Sequence, residues 1–361
     1  MAEVLTLNGL NIFSEQPRTA QRPPILFVHG FLGGAWYFEK YQGFFSALGY
    51  PTYALDLRGH HGSRPVRDIG SVRFLDYVED ALEAANWLTS LKLTTHDSDY
   101  RPIVVGHSMG GLIAQKLAEA DAVRAAVLLG PAPPRGIPLI GATLLLRQIR
   151  YLPTLLRSCP IMGTLADDRA LTLNCIPSDE VASLHARFVP DSGRAGLDIL
   201  LGVRVDEARV RCPMLVVSAT DDRFVTARVA RRVARKYGAA FHQYLGHAHF
   251  IMWEPGWEHP AEEIEQWLDR AVGCYRYKSP GIIHLQRLAR QRGKEVRLNF
   301  RDGHMVQAKI ISIDFEEPAE IVYQVRSVIE IGPPHLAETK PGRVAAAPLE
   351  DIFAFEVNGE R

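Results

Sequence analysis

The sequence predicts an α/β fold in which a mostly parallel sheet is covered by helices on both faces. Short β-branched or apolar runs recur up to about residue 270 without the polar alternation of a half-exposed strand. Segments with apolar residues at helical spacing separate these runs, notably residues 77–88 and 228–236. Because parallel strands end at one edge of a sheet, functional side chains are expected to follow the strands' carboxyl ends.

The predicted elements follow in chain order. A hairpin opens the chain, because Asn8-Gly9 separates two short β-rich runs. Six further strands are predicted at residues 25–28, 52–55, 103–105, 126–129, 214–217 and 241–245. Together with the helices between them, these strands define a predicted core of residues 1–130 and 212–272.

Residues 131–211 interrupt the alternation of strands and helices. They open with Pro131-Ala132-Pro133-Pro134, contain no clear strand and include helix-like runs such as residues 139–150. We interpret the segment as a helical insertion, or cap, over the strand ends. Its apolar residues either line a pocket for an apolar substrate or only pack the cap onto the core.

The C-terminal part has a different character. Residues 282–292 are helix-like and rich in arginine, and alternating segments on either side of Asp302-Gly303 form a hairpin signature. We therefore predict a linker or helix at residues 273–292 and a small β-barrel at residues 293–361 that faintly resembles SH3-like or Sm-like barrels. One expected role of such a barrel is protein association or oligomerisation.

Composition narrows the functional classes. The chain of 361 residues has 41 basic and 41 acidic residues and a pI of about 7.2, so its overall charge does not favour binding to nucleic acid. No apolar run reaches the roughly 18 residues of a membrane span, and the N-terminus lacks a signal-peptide pattern, so we expect a cytoplasmic protein. The cysteines fit no metal or redox pattern, and no cofactor or metal is expected; they are Cys159, Cys175, Cys212 and Cys274.

The segment Gly106-His107-Ser108-Met109-Gly110 is the most informative motif. It matches G-x-S-x-G, in which a serine turns sharply from a strand into a helix and exposes its hydroxyl above the sheet. The flanking glycines remove side chains that would crowd the turn. A β-branched run precedes Ser108 and a run with helical spacing follows it, so the local context agrees with a nucleophilic serine.

A nucleophilic serine needs a base, and the base needs a carboxylate that orients it. Asp221 and Asp222 directly follow the predicted strand at residues 214–217, and His247 and His249 follow the strand at residues 241–245. Serine, acid and histidine therefore occur in chain order, each after its own strand. The spacing alone leaves both aspartates and both histidines as candidates.

Residues from about 4 to 270 resemble the α/β-hydrolase superfamily, in its serine esterase and lipase-like branch. The resemblance rests on the serine motif, on the acid and histidine that follow it, and on two further segments. Residues 27–34 resemble the family's His-Gly loop, and residues 56–63 resemble its D-x-R-G-H-G-x-S segment with an extra histidine. The resemblance implies that the backbone N–H groups of Phe31 and Met109 form an oxyanion hole. His60 and His61 are expected to hold the turn at residues 56–63 rather than to catalyse.

The same resemblance favours one residue of each ambiguous pair. Asp222 is favoured because a basic residue and two apolar residues follow it, and His249 because Glu254-Pro255 lies five residues later. Asp221 and His247 remain the alternatives.

The expected activity is hydrolysis of small-molecule carboxylic esters with an apolar acyl chain, through an acyl-enzyme on Ser108. Other acyl transfer, hydrolysis of C–C bonds and cofactor-free perhydrolysis are alternatives at the same residues. A catalytically silent, hydrolase-like binding protein is the alternative from another class.

Overall fold

The computed structural model describes residues 3–18, 20, 22–93, 99–139 and 149–272, and the backbone of five strands further along the chain. The chain divides into two compact units, Met1–Cys274 and Tyr275–Arg361. Most of the helix-like run predicted at residues 139–150 and all of the helix-like segment at residues 282–292 lie outside the described residues.

An eight-stranded sheet forms the centre of the first unit. The strands of this unit are, in chain order, β1 (Glu3–Leu7), β2 (Leu10–Glu15), β3 (Ile25–Val28), β4 (Thr52–Leu55), β5 (Ile103–His107), β6 (Ala125–Leu129), β7 (Pro160–Ile161), β8 (Asp191–Ser192), β9 (Met214–Ala219) and β10 (Ala240–Tyr244). The spatial order of the large sheet is β1-β2-β4-β3-β5-β6-β9-β10. β1 and β2 are antiparallel to their neighbours, and the other pairs are parallel. This is the predicted mostly parallel sheet.

Helices cover both faces of the sheet. They are α1 (Glu39–Ala47), α2 (Phe74–Leu91), α3 (Met109–Glu119), α4 (Leu152–Leu156), α5 (Leu165–Leu171), α6 (Val181–His185), α7 (Gly193–Leu201), α8 (Ala227–Tyr237) and α9 (Glu258–Ala271). One apolar core lies between the sheet and α2, α3 and α8. A second core lies between the sheet and α1 and α9. Because both faces are covered, β3, β4, β5 and β6 are buried along their whole length.

The predicted insertion lies between β6 and β9 and carries α4 to α7. One detail of its prediction was wrong, since β7 and β8 pair there as a short antiparallel ladder. Strands of two residues are too short to produce the alternation by which a strand is recognised. None of the helices within the described ranges combines the length and the apolarity that crossing a membrane requires.

The second unit contains a five-stranded antiparallel sheet. Its strands are β11 (Glu295–Phe300), β12 (Met305–Asp314), β13 (Glu320–Glu330), β14 (Val344–Pro348) and β15 (Ile352–Val357), in the order β14-β13-β12-β11-β15. The sequence reasoning missed β14, whose three central residues are alanines of low β propensity. Between the described strands no pairing joins β14 to β15, so a closed barrel, and its role in association, stay predictions.

The order of the sheet reverses at β3. The chain runs from β3 to β4 on one side and returns to β5 on the other, and Val28 of β3 lies opposite Gly106 of β5. Ligand sites of open α/β sheets form at such a reversal, because the loops after the two strands diverge and leave a crevice. The loop after β3 and the turn after β5 therefore border one crevice at the carboxyl edge of the sheet.

Two glycines allow this close approach. A Cβ atom on Gly106 would lie 2.2 Å from the carbonyl oxygen of Gly110, and one on Gly110 would lie 2.1 Å from the carbonyl oxygen of Val28. Both obstacles are backbone atoms, so a side chain at either position would force β3, β5 and α3 apart.

We therefore expect Gly106→Ala and Gly110→Ala each to lower the free energy of unfolding by more than about 3 kcal/mol, or to prevent folding. Gly43→Ala is the matched control, because a Cβ atom there has only the Glu15 carboxylate near it, at 3.9 Å. In the middle of α1 that change should raise stability by about 0.5–1 kcal/mol. Denaturant unfolding measures all three, and wild-type stability of both Gly106→Ala and Gly110→Ala would contradict the close approach.

Candidate active site

Ser108 stands at the turn between β5 and α3 in a strained backbone conformation. Its φ of +53° and ψ of −113° are rare for a residue with a side chain and typically cost about 1–3 kcal/mol. Four backbone hydrogen bonds stabilise the turn. Ser108 N–H donates to the Leu129 carbonyl at 2.9 Å, and the Ser108 carbonyl accepts from the N–H groups of Gly111 at 3.0 Å, Leu112 at 3.3 Å and Ala132 at 2.9 Å. The side chain is consequently fixed above the sheet at the wall of a cavity.

Asp222 and His249 form a buried pair beside this turn. His249 Nδ1 lies 2.8 Å from Asp222 Oδ2. The other carboxylate oxygen of Asp222 accepts from the backbone N–H groups of Phe224 at 2.8 Å and Val225 at 2.7 Å. A carboxylate that only accepts requires a proton on His249 Nδ1, and in the neutral imidazole this leaves Nε2 as the basic nitrogen.

The rival residues have other surroundings. The Asp221 side chain is exposed, while Asp222 is buried. His247 Nδ1 lies 3.1 Å from Glu254 Oε2, so each histidine of the His-x-His segment has a carboxylate of its own. Across the described ranges, no three His, Cys, Asp or Glu side chains come together as a metal site would require.

Glu254 also fixes the loop that carries His249. Its buried carboxylate accepts from Ala248 N–H at 2.7 Å and from Phe250 N–H at 3.1 Å, the two residues that flank His249. The sequence reasoning used Glu254 only as a marker of the histidine. In the structure Glu254 has a physical role, because its buried carboxylate and the two buried N–H groups satisfy one another's hydrogen bonds.

His107 is a component of the site that the sequence reasoning missed. Its Nε2 atom lies 2.9 Å from the His249 carbonyl oxygen, and the two rings are 4.7 Å apart. Burial, together with the nearby His249 ring, holds the pKa of His107 well below its usual value. His107 is therefore neutral, donates from Nε2 to the His249 backbone and adds no positive charge beside that imidazole.

Phe31 and Met109 are the residues whose backbone N–H groups the family resemblance assigns to an oxyanion hole. Both residues line the same cavity as Ser108 and His249. Within the part of the chain that the structure describes, neither backbone N–H donates to a protein acceptor. Met109 is the first residue of α3, where N–H groups lack partners inside the helix. Phe31 is held from its other side, because its carbonyl accepts from Tyr37 Oη at 2.9 Å.

The cavity has a volume of about 340 Å³, within the range typical of small-ligand pockets. The insertion contributes much of its apolar lining, including Leu139, Ile149, Leu152, Leu155, Ile161, Leu171, Ile199 and Leu200. Other apolar residues of the insertion instead pack on the core, namely Leu173, Ile176, Val181 and Leu184. The insertion thus both lines the cavity and packs on the core, and an apolar substrate for the cavity stays a prediction. The polar residues that line the cavity include Asp167 and Asp168.

Comparisons with known proteins agree with this fold. A soluble variant of monoglyceride lipase from Saccharomyces cerevisiae, solved with a substrate analogue, is 17% identical with a TM-score of 0.63 and covers 75% of this chain and 94% of that chain. A monoacylglycerol lipase from Paleococcus ferrophilus is 20% identical with a TM-score of 0.55 and covers 73% of this chain and 99% of that chain. At these identities the likeness shows the fold alone.

One curated relative is similar in sequence over a shorter stretch. It is a "Probable alcohol acetyltransferase" of Saccharomyces cerevisiae, 34% identical over 97 residues, which are 27% of this chain and 26% of that protein. The chain thus aligns with about a quarter of this relative's length. The model of the alpha/beta hydrolase family, in contrast, matches residues 25–267. The chain therefore belongs to the alpha/beta hydrolase family.

Proposed function

We propose that this hydrolase cleaves carboxylic esters of small molecules through an acyl-enzyme on Ser108, with His249 as the base and Asp222 as the carboxylate that orients it. The observation that carries the proposal is the buried pair of His249 Nδ1 and Asp222 Oδ2 at 2.8 Å, in which His249 lines the same cavity as Ser108. The same arrangement of residue types serves acyl transfer on several unrelated folds.

The reaction begins when Ser108 Oγ attacks the acyl carbon and His249 Nε2 accepts the hydroxyl proton. The carbonyl oxygen becomes an oxyanion, which the N–H groups of Phe31 and Met109 bind; one such donor typically lowers the barrier by about 3 kcal/mol. The intermediate expels the alcohol, which takes its proton from His249. Water then repeats the attack on the acyl-enzyme with His249 as base, and the acid leaves with Ser108 restored.

The surroundings of His249 suit this sequence of proton transfers. Asp222 accepts from His249 Nδ1 and stabilises the imidazolium that forms in each step. The neutral state of His107 avoids a repulsive positive charge next to that imidazolium. Glu254, through Ala248 and Phe250, limits the movement of the His249 backbone.

The lining of the cavity supports an apolar acyl group. Leucine and isoleucine side chains from the insertion face the space beside Ser108. Each methylene that leaves water is worth about 0.8 kcal/mol, which makes a medium or long acyl chain the favoured substrate. The two structural relatives named above are lipases of monoacylglycerols, which are esters of this kind.

Acyl transfer to an alcohol is the second candidate. The sequence match to an alcohol acetyltransferase favours it, and the apolar cavity suits an acceptor less polar than water. The acyl-enzyme is the same in both reactions, and only the second nucleophile differs. Product analysis in the presence of ethanol separates them, because an ethyl ester forms only if the alcohol competes with water.

Labelling by a fluorophosphonate probe tests the nucleophile. The wild-type chain is expected to gain one probe per molecule by intact mass, and Ser108→Ala none, because only an activated serine displaces fluoride from the probe and becomes phosphonylated. Ser108→Ala should also lower ester turnover by at least about 10³-fold while the melting temperature changes little. A wild-type chain that remains unlabelled would favour the silent binding protein.

The pair of histidine variants tests the base. His249→Ala should lower kcat by about 10²- to 10⁴-fold, the typical contribution of a general base. His247→Ala should keep kcat within about threefold but lower stability by about 1–3 kcal/mol, because the buried carboxylate of Glu254 loses a partner. The opposite result, with activity lost only in His247→Ala, would transfer the role to His247.

A series of p-nitrophenyl esters from acetate to dodecanoate tests the acyl site. We expect kcat/KM to rise about fourfold per methylene, as transfer from water predicts, until the cavity is filled. Leu171→Ala, which enlarges the cavity, should move the optimum to longer chains. Leu184→Ala removes an equally buried leucine of the insertion that does not line the cavity, and should lower stability alone. A flat chain-length profile would contradict an apolar acyl site.

A further inference from the structure

Asp191 is a fully buried carboxylate of the insertion with four polar contacts and no part in the mechanism above. Its Oδ1 atom accepts from Tyr77 Oη at 2.7 Å and from Ser192 N–H at 2.6 Å. Its Oδ2 atom accepts from Leu32 N–H at 2.9 Å and lies 3.1 Å from His60 Nε2. A buried charge is tolerated only when such partners compensate for the lost water, so these contacts define its orientation.

His60 supplies the opposite charge. Its Nδ1 atom lies 3.0 Å from the Arg58 carbonyl and its Nε2 atom faces Asp191, so both ring nitrogens point to oxygen atoms. Burial opposes the charged form, but the Asp191 carboxylate overcomes it and raises the pKa of His60. Burial alone would raise the pKa of the Asp191 carboxyl, but the facing His60 lowers that pKa below its usual value. The contact is an ion pair rather than a well-aligned hydrogen bond.

Leu32 is the residue of the core that this carboxylate constrains. It has a φ of +64°, a conformation that costs an L-residue about 1–2 kcal/mol. Two contacts from the insertion support it: Asp191 accepts from its N–H, and its carbonyl accepts from Val189 N–H at 3.0 Å. Together with Tyr37 Oη, which donates to the Phe31 carbonyl at 2.9 Å, these contacts hold the peptides on either side of Leu32.

We propose that Asp191 is a positioning residue for the oxyanion hole, because its hold on Leu32 N–H directs the Phe31 N–H into the cavity beside Ser108. The inference rests on the proposed function, in which Phe31 N–H binds the oxyanion. Its consequence is that the insertion does more than line the acyl site. The oxyanion hole is complete only while Val189 and Asp191 are docked on Leu32.

A second carboxylate of the insertion provides a matched control. Asp198 on α7 accepts from the backbone N–H of Phe74 at 3.2 Å, so it too joins the insertion to a core amide, but away from the Phe31–Leu32 loop. Asp191→Ala and Asp198→Ala thus each remove a carboxylate that binds a core amide, and only the first touches that loop; Asp198 is less buried and also pairs with Arg194 at 3.0 Å.

Amide hydrogen exchange and kinetics are measured on the full chain of each variant. In Asp191→Ala the Leu32 amide hydrogen should exchange at least tenfold faster than in wild type. In Asp198→Ala it should exchange at the wild-type rate. With a p-nitrophenyl ester, Asp191→Ala should lower kcat by about 10²-fold, as loss of one oxyanion donor does, with KM within about threefold. Asp198→Ala should leave both constants within about threefold of wild type.

Asp191→Asn covers the case in which the alanine variant does not fold. It keeps the volume but offers one acceptor oxygen where the structure uses two, so faster exchange at Leu32 and a lower kcat are still expected. Suppose that the fluorophosphonate probe labels wild type. Unchanged exchange of the Leu32 amide, or an unchanged kcat, in a folded Asp191 variant would then overturn this inference and leave the proposed function standing. An unlabelled wild type would overturn the proposed function and, with it, the role of this loop.

Discussion

The site depends on the close contact between the turn after β5 and the end of β3. Gly106 and Gly110 leave no room for a Cβ atom, so the backbone of that turn lies directly against the carbonyl of Val28. The contact fixes Ser108 in its strained conformation and brings it beside the loop that carries Phe31. The order of the sheet places the other two side chains. β6, β9 and β10 follow β5 in the sheet, so the loops that carry Asp222 and His249 lie at the same edge as Ser108.

Buried polar groups around this turn are paired in a way that keeps each side chain in one orientation. Asp222 satisfies His249 and two backbone N–H groups, and Glu254 satisfies His247 and the two N–H groups that flank His249. His29, next to the serine turn, is fully buried, and burial together with His60 lowers its pKa to about 3. A neutral His29 therefore lies beside His60, whose ring faces the Asp191 carboxylate of the insertion and whose pKa that carboxylate raises.

The insertion combines two tasks that are separate in the sequence. Leucines and isoleucines on its short helices line the cavity, which supports an apolar acyl group in the proposed reaction. Val189 and Asp191 bind the backbone of Leu32, which lies beside the proposed oxyanion donor. If the two tasks act as inferred, substrate specificity and transition-state stabilisation are linked, because both depend on how the same segment docks on the core.

Much of the fold and part of the site followed from local sequence signals. Apolar runs and periodicity located most strands of the large sheet and two major helices, and the glycine-rich turn located Ser108, because burial and turn geometry act over a few neighbouring residues. Resemblance, rather than spacing, ranked Asp222 over Asp221 and His249 over His247. The pairing of β7 with β8, the contact of His107 with the His249 backbone, and the hold of Asp191 on Leu32 had no such signal. They join residues 142 and 159 positions apart in the last two cases. Only the docking of the insertion and the order of the sheet bring these residues together, so the tertiary structure alone decided them.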